Sequence, residues 1–143
     1  MRRFLFATTV DARLLDEAAL ALLRVFTGLS LAFAHGLAKV PPSAGFIDGV
    51  GGLGFPLPVV FAWAAGLSEL VGGALLALGL LTRPAALAIA GTMAVAAFLR
   101  HGGDPYAKQE LALFYLVVAL VFAVRGANRL SLDHVVSRLR PGA

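Results

Sequence analysis

The sequence predicts an all-α integral membrane protein: a bundle of four transmembrane helices with a short C-terminal amphipathic helix at the membrane interface. Of the 143 residues, 59% are hydrophobic and only 14% are charged, and the mean hydropathy is +0.87. A soluble domain typically carries about 25% charged residues. The polar residues therefore cannot cover a globule, and lipid must solvate most of the surface. At this length we expect one domain, covering residues 1–143.

Proline, glycine and charged residues delimit four apolar runs. The predicted spans are residues 14–38, 58–81, 84–99 and 109–124. Pro58 suits the first turn of the second span, and Thr82 and Pro84 predict the cap and first turn of the third. The third span, ~16 residues at 1.5 Å each, is short for a hydrocarbon layer of ~30 Å, so Arg100 is expected to snorkel. The Pro- and Gly-rich segment 40–57 allows only a short interfacial helix.

The C-terminal segment differs in character from the four spans. Apolar residues recur there at helical spacing, namely Leu132, Val135, Val136 and Leu139. With Ser131 as its N-cap, this pattern predicts an amphipathic surface helix within residues 126–140. A frayed basic tail is the alternative.

The basic residues are distributed unequally between the two sides of the predicted membrane. Eight arginines share the side of both termini: Arg2, Arg3, Arg13, Arg83, Arg125, Arg129, Arg138 and Arg140. The opposite side holds Lys39, Arg100 and Lys108. Because cytoplasmic loops are enriched in Lys and Arg, both termini are expected in the cytoplasm. Topology and anionic lipid headgroups thus account for the net charge of +4, and nucleic acid is not an expected partner.

The chain contains no cysteine, which excludes disulfides, thiol catalysis and iron–sulfur ligation by its own residues. It also lacks a phosphate-binding glycine loop, zinc-ligand spacing and a Ser/His/Asp arrangement. We therefore assign no catalytic and no metal-binding residue, and do not expect the chain to catalyse a reaction alone. A redox role would have to depend on a bound quinone, flavin or haem.

Two charged side chains lie well inside predicted spans, away from their ends, where an unpaired charge costs roughly 3 kcal/mol or more. Arg24 belongs to the first span and Glu69 to the middle of the second. If Gly28 and Glu69 mark the midpoints of two antiparallel helices, Arg24 and Glu69 differ in depth by about four residues, or ~6 Å. We therefore expect these two side chains to pair, either to lock the helices together or to serve a ligand.

Polar and small residues also share faces of the predicted helices. One stripe on the first span consists of Arg24, Gly28, Ala32, His35 and Lys39. Spaced by three and four residues, it should face protein rather than lipid. Small residues let neighbouring backbones approach, which makes four glycines candidates for helix packing. They are Gly28, Gly66, Gly72 and Gly73.

Further polar side chains map to the outer ends of the first, third and fourth spans. With the buried charges they form the candidate ligand-binding set: Arg24, His35, Lys39, Glu69, Arg100, His101 and Glu110. The hypothesis is a cavity between helices 1 and 2, where glycines leave room for a planar headgroup such as that of a quinone. The alternatives are a closed, fully packed bundle and a His35 that merely bonds a loop carbonyl.

An ordered series of motifs points to a family. The series is Arg24…Gly28, His35-Gly36-x-x-Lys39, Gly66-x-x-Glu69-x-x-Gly72-Gly73, Gly79-Leu-Leu-Thr82-Arg83-Pro-Ala85-Ala86 and Gly126-Ala-Asn-Arg129-Leu-Ser131-Leu132-Asp133. In order and spacing it resembles the DoxX family of small bacterial membrane proteins, over about residues 15–133. Ala127 departs from the pattern, because a proline is expected there.

The resemblance implies a four-helix bundle in the bacterial inner membrane. Some members of the family belong to quinone-linked oxidoreductases, such as the DoxD component of a thiosulfate:quinone oxidoreductase, and others scaffold oxidative-stress enzymes. We therefore expect a subunit or anchor of a redox membrane complex that binds a quinone or another lipophilic ligand, with other redox subunits or further copies of itself as partners. The alternatives are a scaffolding protein without chemistry of its own and, less favoured, an oligomeric transporter.

Overall fold

The computed structural model describes residues 13–139 of the chain. Within that range the helices are α1 (Arg13–Lys39), α2 (Ala44–Gly52), α3 (Pro58–Leu78), α4 (Thr82–Arg100), α5 (Tyr106–Arg125) and α6 (Leu132–Leu139). Helices α1, α3, α4 and α5, of 27, 21, 19 and 20 residues, are long and apolar enough to cross a membrane. The basic arm with Arg2 and Arg3, and Arg140 at the end of the expected surface helix, lie outside the described residues.

The outside of the bundle is apolar. Large side chains on different helices point away from the protein, with Phe26, Phe33, Phe98 and Val117 exposed by 65%, 67%, 61% and 60%. A surface of this kind requires lipid as its solvent. The expected four-span membrane bundle is therefore confirmed, with its buried core between α1, α3, α4 and α5 around Leu31, Leu76, Ile89, Tyr115 and Phe122.

Two elements differ in extent from their prediction. Helix α4 begins at Thr82 and contains 19 residues, so its length of roughly 28 Å matches a hydrocarbon layer and the expected shortness is wrong. Helix α6 begins only at Leu132, because Gly126, at φ +76°, ends α5 and the following residues are not helical. Ser131 is confirmed as the cap of α6, since its hydroxyl accepts from His134 N at 3.2 Å.

We call the two ends of the bundle the terminal end and the loop end. The terminal end contains the start of α1, the α3–α4 turn, the end of α5, and α6. The loop end contains the end of α1, helix α2, the start of α3 and the α4–α5 loop. Helix α2, capped by Ser43 whose hydroxyl accepts from Phe46 N at 3.2 Å, is the short helix that the segment 40–57 allowed.

Helices α1 and α3 are in direct backbone contact. A Cβ added to Gly73 would lie 2.7 Å from the Gly28 carbonyl oxygen, and one added to Gly66 would lie 2.9 Å from that of Lys39. Such distances are too short for any side chain, so glycine is required for this approach. Gly72 packs differently, against Ile89 of α4.

Three spanning helices widen locally into π-helical geometry. The wide turns are Ser30–Gly36 in α1, Ser68–Gly72 in α3 and Val95–Arg100 in α4. Turns of this kind are rare and often accompany functional sites. The wide turns of α1 and α4 lie toward the loop end, and that of α3 lies near the middle of its helix, beginning one residue before Glu69.

Candidate functional site

Glu69 is the buried acid of this bundle, and its partner is Lys39. The Lys39 ammonium lies 2.7 Å from both carboxylate oxygens of Glu69. Glu69 is only 1% exposed, whereas Lys39 is 32% exposed, so the pair runs from the interior to an open surface. Lys39 also lies 5.6 Å from the ring centroid of Phe46, a cation–π contact that joins α2 to the pair.

The expected pairing of Arg24 with Glu69 is wrong, because the register between α1 and α3 differs from the one assumed. Gly28 does not face Glu69; it lies against Gly73 and Ala77. The residue of α1 that lies against Glu69 and its neighbour is Gly36. About twelve residues of α1, or roughly 18 Å, therefore separate Arg24 from the depth of Glu69.

Arg24 is instead held by backbone carbonyls at the terminal end. Its guanidinium donates to Leu76 O at 3.0 Å, to Ala77 O at 3.1 Å and to Leu130 O at 2.7 Å. Gly79, at φ +66°, makes this possible, because a Cβ there would collide with the guanidinium. The last carbonyls of α3 are the negative end of a helix dipole, which suits a buried cation.

Asp133 of α6 completes this terminal network by capping α4. Its carboxylate accepts from Leu81 N at 2.8 Å and from Thr82 N at 3.0 Å. Burial by itself would raise the pKa of Asp133, but the hydrogen bonds from these amides and the nearby positive charge of Arg24 keep that pKa below its ordinary value. The expected cap by the Thr82 side chain is therefore wrong, since a residue 51 positions later performs that role.

At the loop end a cavity lies beside the Lys39–Glu69 pair. It has a volume of about 440 Å³ and lies between α2, α3, α4 and the end of α1. Its residues are Lys39, Gly45, Phe46, Gly49, Val50, Leu53, Ala65, Glu69, Thr92, Val95, Ala96, Arg100 and His101. We call this space the loop-end cavity. Its wall is mostly apolar and carries a few polar groups, the composition typical of small-molecule sites.

His101 lies at the mouth of the loop-end cavity and is oriented by Asp104. Its Nδ1 lies 2.8 Å from a carboxylate oxygen of Asp104. This hydrogen bond from His101 is the main reason that the pKa of Asp104 lies below its ordinary value, and the charges of Lys108 and Arg100 act in the same direction. With Nδ1 donating to the carboxylate, the Nε2 atom of a neutral His101 is an acceptor, and that of a protonated His101 is a donor.

A second, apolar cleft adjoins the loop-end cavity. It has a volume of about 410 Å³, and the two spaces share Val50, Leu53, Ala65, Thr92 and Val95. The residues that belong to this second space alone are Phe55, Phe61, Ala64, Ser68, Ala88 and Gly91. We call it the apolar cleft.

A pair of hydroxyl groups bridges α3 and α4 beside the apolar cleft. Ser68 Oγ donates its one hydrogen to Ala65 O at 3.2 Å. In the second bond, at 2.6 Å, Ser68 Oγ must therefore accept, and the hydroxyl of Thr92 donates. This bond fixes the spacing of α3 and α4 where the cleft passes between them. A polar residue in each apolar span is a signal that sequence reasoning could have used, but it did not single out Ser68 or Thr92.

The structure brings together four of the seven expected ligand residues, namely Lys39, Glu69, Arg100 and His101. Arg24 lies in the terminal network, His35 packs edge-on against Tyr115 at 5.7 Å between centroids, and Glu110 is exposed in an open groove on α5. His35 and Lys39 contact different neighbours because α1 changes between them from a wide π-helical turn to a tight 3-10 turn, Leu37–Lys39, so that a spacing of four residues no longer keeps them on one face.

The cavity was expected between the first and second spans, which are α1 and α3 in the structure, and this expectation is also wrong. Gly28, Gly66 and Gly73 leave no free space, because the neighbouring backbone occupies it. The cavity lies on the other side of Glu69, where α2 covers α3 and α4. Sequence reasoning missed α2 as a wall, because its glycine-rich sequence indicates a loop as readily as a helix.

The fold and the site together define a multi-pass helical membrane protein with a mostly apolar cavity, lined in part by an ion pair, at one end of its bundle. A family model described as DoxX matches residues 19–102. The chain therefore belongs to the DoxX family.

The chain is also similar to three curated proteins over most of their length. A Haemophilus influenzae protein named only as uncharacterized is 37% identical over 80% of this chain and 88% of its own. A Bacillus subtilis protein named "Putative oxidoreductase CatD" is 33% identical over 84% of this chain and 88% of its own. A second uncharacterized Haemophilus influenzae protein is 30% identical over 86% of each chain. No solved structure matches the chain.

Proposed function

We propose that this protein is a membrane subunit of a redox complex and that it binds a quinone in the loop-end cavity. The observation that carries the proposal is the Lys39–Glu69 pair in the wall of a mostly apolar cavity. Buried ion pairs inside membrane proteins are costly and commonly mark ligand or proton sites. Here the cavity gives the pair access to a ligand.

The chemistry of the cavity wall suits a quinone headgroup. Quinone carbonyls only accept hydrogen bonds, and Lys39, Arg100 and a protonated His101 supply donors around the same space. An ammonium has three N–H groups, of which Glu69 engages at most two. Glu69 balances the charge of Lys39, so that a neutral ring can bind without leaving a lone cation in the membrane.

A redox role is supported by the name of one relative, and the composition of the chain limits how that role could operate. The Bacillus subtilis relative carries the name of an oxidoreductase. This chain contains no cysteine, so electrons would have to pass between the quinone and a centre in a partner subunit. The protein would thus act as the quinone-binding anchor of its complex rather than as an enzyme alone.

The orientation in the membrane is part of the proposal. The arginine-rich terminal end would face the cytoplasm of a bacterial inner membrane, and the loop-end cavity would open toward the outer side. A reporter that is active only in the cytoplasm should work when fused after Ala143 and fail when inserted near Gly103. The reverse pattern would overturn the orientation.

Binding of decylubiquinone to the detergent-purified protein tests the ligand. The double change Lys39→Met with Glu69→Gln removes both charges together, which avoids an unpaired buried ion. We expect it to weaken binding by about tenfold or more, the value of one hydrogen bond from a charged group. Lys108→Met is the matched control, because Lys108 lies at the same end but outside the cavity wall. Absence of binding to the unaltered protein, or equal binding by the double variant, would overturn the proposal.

A further inference from the structure

The apolar cleft indicates which class of ligand the loop-end cavity accepts. We infer that the ligand is a membrane-borne lipophile with a long tail, which lies between α3 and α4 while the headgroup occupies the cavity beside Lys39 and Glu69. This inference rests on the proposed function and specifies its ligand class.

The two spaces adjoin along five shared wall residues, and together they give a path with a gradient of polarity. Charged and titratable residues line only the loop-end cavity: Lys39, Glu69, Arg100 and His101. The residues that belong to the apolar cleft alone are aromatic or small, except for Ser68. The hydroxyl of Ser68 is already engaged with Thr92 and Ala65. A molecule with a polar head and an apolar tail matches this arrangement, whereas a small polar solute would leave the second half of the path unfilled.

The dimensions of the path also suit a tail. Along α4 the path runs from Arg100, at the loop end, to Ala88. These residues are separated by about twelve positions, or roughly 18 Å, which carries the far end toward the middle of a ~30 Å hydrocarbon layer. Ala88, Thr92 and Val95 recur in steps of three and four, so one face of α4 forms the floor of the whole cleft.

Small residues keep this floor open. A Cβ added to Gly91 would meet no atom within 4 Å, and the same is true of Gly45 and Gly49 in the wall of the loop-end cavity. These glycines differ from Gly28 and Gly73, which have a backbone against them. The absence of a side chain at Gly91 therefore leaves space beside α4 that no neighbouring helix fills.

The test introduces side chains into the open space at each part of the path. Gly91→Leu should obstruct the apolar cleft and Gly49→Leu the loop-end cavity, while Gly52→Leu is the matched control. Gly52 also has open space around its would-be Cβ, and it lines neither space. None of these changes creates a backbone clash, and leucine favours a helix more than glycine does. Thermal unfolding of each variant checks that the fold is kept.

Two probes distinguish the head from the tail, namely decylubiquinone and its parent quinone without the tail. For each probe the affinity of a variant is divided by that of the unaltered protein, so that partition of the tail into detergent cancels. We expect Gly91→Leu to weaken decylubiquinone by at least tenfold and to leave the tail-less quinone unchanged. Gly49→Leu should weaken both probes, and Gly52→Leu neither.

The outcomes separate this inference from the proposed function. If the unaltered protein binds both quinones and Gly91→Leu changes neither affinity, or changes both equally, the tail does not lie in the apolar cleft and the inference is overturned while the quinone site stands. If the unaltered protein binds neither quinone, the proposed function itself fails. If Gly91→Leu selectively weakens the tailed probe, the tail position is established.

Discussion

The two ends of this bundle each contain a cation from α1, and they use it in opposite ways. Arg24 at the terminal end is 2% exposed, and its two terminal nitrogens donate to three backbone carbonyls, with Gly79 packed against the guanidinium and the charge of Asp133 nearby. Lys39 at the loop end is 32% exposed and lines a cavity. A charge inside a membrane helix is therefore not by itself a ligand site. What surrounds the charge decides its role, either backbone that closes over it or open space that a ligand can fill.

Replacement of Arg24 should have the largest effect on stability. Arg24→Leu removes a group that bonds three carbonyls on two separate segments, and hydrogen bonds from a charged donor contribute roughly 1.5–3 kcal/mol each. We expect the free energy of unfolding in mild detergent to fall by about 3 kcal/mol or more. Arg83→Leu, an exposed arginine at the same end, is the control and should change little. Equal stability of the Arg24→Leu protein would show that the terminal network is dispensable.

Gly79→Ala should come next. A non-glycine residue at a left-handed φ costs about 1 kcal/mol, and the new Cβ would also displace the Arg24 guanidinium and press on Ser131. We expect a loss of about 2 kcal/mol, measured as a lower unfolding midpoint. Gly103→Ala provides the comparison, because its Cβ would meet open space. A Gly79→Ala protein as stable as Gly103→Ala would contradict the tight packing at the terminal end.

Loss of the Asp133 cap should be smaller and should depend on pH. Asp133→Asn weakens two charge-assisted hydrogen bonds to the start of α4, at a cost of about 1 kcal/mol near neutral pH. Because the pKa of Asp133 is lower in the folded protein, its stabilisation is present above the ordinary aspartate pKa and is lost as the pH falls through the lowered value. As the pH falls below about 4, the unfolding midpoints of the unaltered and Asp133→Asn proteins should therefore approach each other, and they should coincide once the pH is below the lowered pKa. A difference that persists or grows in acid would rule out this role of the carboxylate.

The smallest effect is expected from Gly49→Ala at the loop end. The added methyl group would enter the loop-end cavity without touching another atom, and alanine favours the α2 helix over glycine. Stability should rise slightly, by roughly 0.5 kcal/mol. A clear loss would mean that the cavity is closed in solution, and the contrast between the two ends would then disappear.

The sequence predicts the spans well, because apolar runs ended by proline, glycine and arginine depend only on local composition. It does not predict which buried charge meets which partner. That depends on the register of α1 against α3, which the contact of Gly28 with Gly73 sets one to two turns away from a midpoint alignment. The same limit applies to Asp133 and Thr82, 51 residues apart, whose contact only the folded chain brings about.

Part of the candidate site followed from the sequence for a different reason. Lys39, Arg100 and His101 all lie at the ends of spans on one side, and side chains at the same depth of a small bundle come close together. His35 met the same criterion and does not line the cavity, since the wide turn of α1 directs it to Tyr115. The cavity itself depends on α2, and a glycine-rich segment of nine residues carries too weak a pattern to predict where it packs.

Photo-crosslinking with an azido-quinone, followed by mass spectrometry of the labelled peptides, tests the central claim most directly. We expect the label to concentrate on peptides that contain α2 or the half of α4 nearest Arg100, and we expect excess decylubiquinone to abolish the labelling. Label should not concentrate around Arg24, whose guanidinium is held by backbone carbonyls and packed against Gly79. Label at the terminal end, or label spread evenly over all lipid-facing helices and insensitive to competitor, would contradict the assignment of ligand binding to the loop end.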